Sequence, residues 1–170
     1  NNDTIVDPRF LDALLEAASV SPGYGFYCSK IYFADRPDVI WFAGATFRPF
    51  TGHTRHLGFE ERDLGQFNIP REIERPCGCS VLVTREFLSK VGLLDEALFA
   101  YCDDVEWMLR ARRHGFRALL APASKVWHRV SASSGGPGHA AGLYYGTRNI
   151  LYCLDRHDRS RLPPVRLFRT

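Results

Sequence analysis

The chain has no apolar run long enough to cross a bilayer and nothing resembling a signal peptide, so a spanning helix is excluded and a reducing, cytosolic setting is the expectation. It has no C-x-x-C pair. Its five cysteines are an odd number, and Cys77 and Cys79 stand one residue apart, a spacing that suits neither a zinc knuckle nor a dithiol redox motif. They read as reduced core thiols. Internal repeats are absent, which excludes solenoids and propellers. Strong charge of one sign is absent too. The formal net charge is +3, although five arginines fall in the last fifteen residues, at positions 156, 159, 161, 166 and 169. Aromatics are not interleaved along that run as a stacking platform would require, Phe168 standing alone, so a nucleic-acid module is the weakest reading. A solvated basic tail fits better, with attraction to anionic lipid second. An initiator methionine is missing as well, and a start on Asn1-Asn2-Asp3 reads as the start of a fragment.

What is present is a chain of 170 residues, 45% hydrophobic, enough for one domain with a real core. We divide it into a domain over residues 1–155 and a basic, proline-containing tail over 156–170. Asp7-Pro8 predicts a helix entrance, followed by Leu11, Leu14, Leu15 and Ala18 on one face. Phe26 to Phe33 is rich in aromatic and branched residues and predicts a strand, which Val39 to Ala43 joins as a hairpin ending near Gly44. Residues 46–74 hold no period and read as a long loop of the kind that selects substrates. His53 and His56 lie within it without a third ligand and read as surface histidines.

Cys79 to Thr84 predicts a buried strand, and Arg85 to Val91 a short helix closed by Gly92. Gly78 and Ser80, before and at its start, leave room for a group to approach the backbone, or for a plain bulge. Phe116 to Ala121 and Lys125 to His128 read as two further strands. Ser131 to Gly138 suits a mobile loop or a linker, and Gly142 to Leu154 an amphipathic helix.

The chemistry concentrates in Tyr101-Cys102-Asp103-Asp104-Val105-Glu106-Trp107-Met108-Leu109-Arg110. Val105, Met108 and Leu109 recur at helical spacing, Glu106 and Arg110 stand one turn apart, and Gly115 closes the segment. Either aspartate can cap the first turn. One would suffice for capping, however. Two adjacent carboxylates repel, which raises the proton affinity of at least one and suits it to general-base work.

Taken in order, Asn1-Asn2-Asp3, Cys77-Gly78-Cys79-Ser80, Val91-Gly92-Leu93-Leu94-Asp95-Glu96, Asp103-Asp104-Val105-Glu106 with Leu109-Arg110, Gly115-Phe116-Arg117, Pro122, His128, and Tyr144-Tyr145 with Arg148-Asn149 resemble the later part of a family-2 inverting glycosyltransferase, in its bacterial rhamnosyltransferase-like branch. The resemblance implies the GT-A fold, an α/β, Rossmann-like mixed sheet with flanking helices, here without the half that binds the nucleobase. It implies a nucleotide-sugar donor, a glycan or lipid-linked glycan acceptor, and a role in cell-surface polysaccharide synthesis, with the protein cytoplasmic or peripheral at the inner face of the membrane.

Residue by residue, the resemblance places Asn1, Asn2 and Asp3 on the D-x-D segment. Asp3 there holds Mg²⁺ or Mn²⁺ against the donor diphosphate, and His128 completes that site. Asp104 falls on the catalytic base, with Asp103, in place of the usual glutamate, in support. Arg148 is a candidate for the diphosphate, and Gly78, Cys79, Ser80 and Trp107 lie on the acceptor side. Each has a plainer alternative: an Asx-turn for Asp3, a strand-end histidine for His128, an ion pair for Arg148, a core ring for Trp107. A noncatalytic scaffold that kept the fold is the rival function. A sheet lacking its first half should also leave the 79–84 strand or a neighbour beside an uncovered surface, and the isolated chain should associate and transfer poorly.

Overall fold

The computed structural model describes residues 2–48, 52–130 and 140–157. At its centre two parallel strands run side by side, β2 (Phe26–Phe33) and β8 (Ala118–His128). Every residue of β2 is buried, as a strand covered on both faces must be, and this is why its sequence reads as a near-continuous apolar and aromatic run.

Four short antiparallel strands flank the pair, two on each side. Along β2 lie β3 (Ile40–Phe42) and β7 (Val81–Val83); along β8 lie β1 (Thr4–Val6) and β6 (Arg71–Ile73). A separate hairpin joins β4 (Ala45–Arg48) to β5 (His53–His56). The β2–β3 hairpin is as expected. The expected loop over 46–74, by contrast, contains β5, β6 and most of β4. These escaped notice because their residues are largely arginine, histidine and glutamate, whose backbone pairs while their side chains stay exposed or half-buried.

The expected strand at 79–84 shrinks to Val81–Val83, half-buried rather than buried, and among the described residues it is paired on one edge only. The two strands expected at 116–121 and 125–128 are one. Their register against β2 jumps from Ser29↔Ala121 to Lys30↔Lys125, and the extra residues bulge where Pro122 has no N–H to give the ladder. Ser29 fills this break, its Oγ bonded to Ser80 Oγ at 2.7 Å and to Ser124 Oγ at 2.8 Å, and Ser124 Oγ donates in turn to the carbonyl of Phe10.

Helix α1 (Phe10–Val20) packs on this side with Phe10, Leu14 and Ala17 against Tyr27, Leu119 and Ala121. The expected stripe is turned by one position, so Leu11 and Leu15 are about half exposed, at 47% and 51%. Asp7 is not the helix cap: its Oδ1 accepts from Arg9 N–H in a turn one step earlier. Helix α2 (Arg85–Val91) starts where expected, with Thr84 Oγ1 accepting from Phe87 N–H. Helix α3 (Asp103–Arg113) lies over the opposite face, where Trp107 meets Phe26 and Phe87 edge-on. Helix α4 (Ala140–His157) is longer than its apolar period suggested and packs along α3. The stretch 131–138 lies outside the described residues.

A buried lysine ties the outer segments to the sheet. Lys30, fully inaccessible on β2, donates to Asp63 Oδ2 and to Asn68 Oδ1, both at 2.7 Å, and Tyr32 O–H reaches the same Asp63 oxygen at 2.6 Å. Burial alone would push the Asp63 carboxyl up, but these bonds outweigh it and bring it down to about 2.

Candidate active site

The carboxyl ends of the parallel pair open into a cleft of about 590 Å³. Its walls come from Asp3 before β1, Trp41 and His56 from β3 and β5, the segment Arg75-Pro76-Cys77-Gly78-Cys79, and the first residues of α3 facing His128 at the end of β8. Open α/β sheets place their sites at this edge, because chain crossings leave a crevice there.

Asp104 is buried, and its carboxylate is held at two points. Arg75 Nη2 donates to both oxygens at 2.9 Å, and the backbone N–H of Gly78 donates to Oδ2 at 3.1 Å. The close approach anticipated at Gly78 is therefore that of Asp104 itself. A carboxylate offers about four lone-pair directions, so one remains on Oδ1 for a further donor. Among the described residues no side chain is hydrogen-bonded to Asp103, which borders the same cleft; burial, then the neighbouring Asp104 charge, raise its proton affinity. The mutual repulsion inferred from sequence thus appears on Asp103.

The turn that delivers these carboxylates is conformationally costly. Tyr101 and Cys102 take φ of 67° and 62°, the left-handed region, at roughly 1–2 kcal/mol each for residues carrying a Cβ. Neither aspartate caps α3. Cys102 occupies that position, and its carbonyl accepts the first helical bond from Glu106 N–H.

On the other wall Asp3 Oδ2 lies 3.3 Å from His128 Nε2, so these two residues, distant in sequence, do converge. Among the described residues Asp3 Oδ1 and His128 Nδ1 are buried without a hydrogen-bond partner. An oxygen and an imidazole fit a divalent cation, though among the described residues no group of three or more His, Cys, Asp or Glu could enclose one. Asn2 is exposed and off the cleft lining, while Asn1 lies outside the described residues.

Three residues of the cleft escaped the sequence reading. Trp41 stands between two imidazoles, its ring 4.7 Å from His128 and 4.9 Å from His56, both edge to face. His56 is not a free surface residue. Burial, then the Arg75 charge, hold it below its ordinary value, and the neutral ring donates from Nδ1 to the Trp41 carbonyl and offers Nε2 to Arg75 Nη1 at 3.4 Å. His53, by contrast, is exposed. Arg75 Nε is buried and has no hydrogen-bond partner among the described residues. Only the Glu74-Arg75-Pro76 step before Cys77-Gly78-Cys79 hinted at it, since proline there forces an extended chain that aims the arginine across the sheet edge.

Gly78 and Cys79 line the cleft. Ser80, Trp107 and Arg148 do not, being engaged in the framework: Ser80 bridges to Ser29, Trp107 Nε1 donates to the Gly92 carbonyl at 2.9 Å, and Arg148 donates to Ala97 O and to Asn149 Oδ1. All five cysteines are free. Burial pushes Cys28, Cys79 and Cys153 up to about 12 and Cys102 to about 11, so none is a nucleophile at neutral pH. Among the described residues, no helix is long and apolar enough to cross a membrane.

Comparison with known proteins agrees with this architecture. The chain is 29% identical over 180 aligned positions to the N-acetylglucosaminyl-diphospho-decaprenol L-rhamnosyltransferases of two Mycobacterium tuberculosis strains, CDC 1551 / Oshkosh and ATCC 25618 / H37Rv. The match takes in 98% of this chain but 57% of each relative, so the chain spans little more than half the length of the curated proteins it matches. Residues 1–137 match the model of the family described as "Glycosyltransferase like family 2", and the mixed sheet with helices on both faces fits the GT-A-like fold. The chain belongs to glycosyltransferase family 2 and resembles its rhamnosyltransferases.

Proposed function

We propose that this chain carries the reacting edge and acceptor side of an enzyme that moves a sugar from a nucleotide-diphosphate donor to a glycan or lipid-linked glycan, with inversion, in cell-surface polysaccharide synthesis. The observation that carries the reading is Asp104, oriented at both oxygens by Arg75 and Gly78, with one acceptor direction left at a cleft. In this reading the acceptor hydroxyl attacks the anomeric carbon as the bond to the diphosphate breaks. The nucleoside diphosphate leaves with the electron pair, and the hydroxyl proton passes to Asp104. Attack from the face opposite the leaving group inverts the anomeric centre.

Asp3 and His128 are the residues that would hold Mg²⁺ or Mn²⁺, which when bound would neutralise charge on the diphosphate. Asp3→Asn in the full-length enzyme should weaken the Mn²⁺ binding that electron paramagnetic resonance detects; unchanged binding removes Asp3 from the metal site. The relatives' acceptor supports a sugar carried on a lipid diphosphate, and with it a place at the inner membrane face. Exposed Leu93, Phe99 and Tyr144 are side chains suited to such peripheral contact.

A second reading makes Asp103 the base, favoured by its raised proton affinity. Full-length Asp104→Asn and Asp103→Asn decide between them, with transfer assayed over a panel of nucleotide-diphosphate sugars and N-acetylglucosaminyl-diphospho-polyprenol as acceptor. Loss of turnover confined to Asp104→Asn, with donor binding kept in calorimetric titration, supports the first. Loss confined to Asp103→Asn supports the second. Retention by both leaves the scaffold reading.

A further inference from the structure

We infer that Asn149 of α4 is a positioning residue for the carboxylate pair. This rests on the reading above, that Asp103-Asp104 takes the acceptor proton. Asn149 is fully buried, and its one amide group reaches two successive carbonyls, donating to Ala100 O at 2.7 Å and to Tyr101 O at 2.9 Å. Its own Oδ1 accepts from Arg148 Nη1 at 2.7 Å.

The carbonyls it holds belong to the left-handed turn immediately before Asp103. A chain crossing the left-handed region twice in succession turns its peptide groups away from any regular helical partner, so their part-buried oxygens look to a donor on another element. An amide supplies two N–H groups at one point, which hydroxyl side chains cannot. Two weaker contacts run beside it: Cys153 Sγ approaches Cys102 O at 3.9 Å, and Cys102 Sγ approaches Gly146 O at 3.8 Å.

Because α3 begins one residue later, the direction of Asp103 and Asp104 follows from the peptides Asn149 fixes. Arg148 donates to Ala97 O, in the segment leading up to the turn, and to Asn149 Oδ1, facing away from the cleft. Asn149 touches no cleft space itself. It acts on the reaction only through the turn.

The test uses the full-length enzyme with the same donor panel and acceptor. Asn149→Ala should lower kcat by about 10²-fold, the effect of displacing a reacting group by about an ångström, while donor KM is little changed. Hydrogen exchange at the Glu106 amide, which bonds to Cys102 O, should quicken in the same variant. Asn149→Asp, equal in size but unable to donate when ionised, should repeat the kcat loss and serves where the alanine variant fails to fold. Arg113→Ala, which loosens α4 from α3 at the His157 carbonyl and leaves the turn intact, should keep kcat.

Wild-type kcat in a folded Asn149 variant overturns the inference while an inactive Asp104→Asn leaves the parent reading standing. Equal losses in Asn149→Asp and Arg113→Ala also overturn it, since they reduce the residue to general helix packing. Full turnover in both carboxylate variants overturns the parent reading and this inference together.

Discussion

The two sides of α3 bury carboxylates two positions apart, and the protein treats them in opposite ways. Glu106 faces inward and is enclosed. Arg110 Nε donates to both its oxygens at 2.9 and 2.8 Å, His157 Nε2 donates to Oε1 at 3.0 Å, and no part of it is accessible. Asp104 also meets an arginine and is also buried, yet it borders open volume. A buried carboxylate paired with arginine is therefore no sign of catalysis by itself. What separates the two is the unfilled acceptor direction and the space beside it.

The largest contrast should come from removing each charge. Asp104→Asn is expected to slow transfer by about 10²–10⁴-fold, the usual contribution of a positioned base, with the smaller loss of stability because Arg75 borders the open cleft. Glu106→Gln should do the reverse, leaving kcat near wild type and destabilising the fold by about 3–5 kcal/mol, since Arg110 and His157 lose a buried partner. Thermal unfolding and kinetics on both variants check this. A Glu106→Gln enzyme that is stable but slow breaks the comparison.

Arg75→Ala comes next. It leaves Asp104 with one backbone donor and no countercharge, and should reduce kcat through lost orientation, again with donor binding retained. Restoration by Arg75→Lys should be incomplete, because a strongly hydrated ammonium on a flexible stem lacks the fixed planar geometry of the guanidinium.

A pH series sharpens the inward side. Burial raises the Glu106 carboxyl, but bonds from His157 and Arg110 outweigh it and leave it below the ordinary 4.5. A depressed folded value means the contribution is complete above the unfolded value and disappears as pH falls through the folded one. Stability should therefore decline below about pH 4.5, and Glu106→Gln should flatten that part of the curve. Asp63, at about 2 against an ordinary 3.8, extends the same decline to lower pH, and Asp63→Asn should remove that lower portion.

The smallest effect belongs to an ion pair on neither side of α3. Glu86 and Lys90 meet at 2.7 Å across one exposed turn of α2. Lys90→Ala should cost about 0.3–0.5 kcal/mol in chemical denaturation. A larger loss would show that distance alone, without burial, sets the strength of these pairs.

Much of the framework was legible in the residues. Phe26 to Phe33 is a central strand because an apolar run covered on both faces needs no alternation, and Arg85 to Val91 is a helix because Thr84 and Gly92 supply its two ends. The β4–β5 hairpin was not legible, since His53, Thr54, Arg55 and His56 carry no apolar period. In the site, the adjacency of Asp103 and Asp104 was visible. Arg75, His56 and Trp41 were not, because each joins the cleft from a different strand or loop and no local pattern marks the meeting.

The sequence by itself determined the α3 amphipathic pattern, the Glu106–Arg110 pair one turn apart, the two acids at the helix entrance and the family to which the chain belongs. These depend on neighbours within a helical turn or on motif order, both of which are properties of a linear string. Only the tertiary structure decided which acid is clamped and which gains protons, that Asp3 reaches His128 across 125 positions of chain, and that Arg148 and Asn149 serve the turn instead of the cleft. Those outcomes are set by which groups share a dry, crowded volume, and that proximity is created by the pairing of β1 with β8 and the packing of α4 on α3.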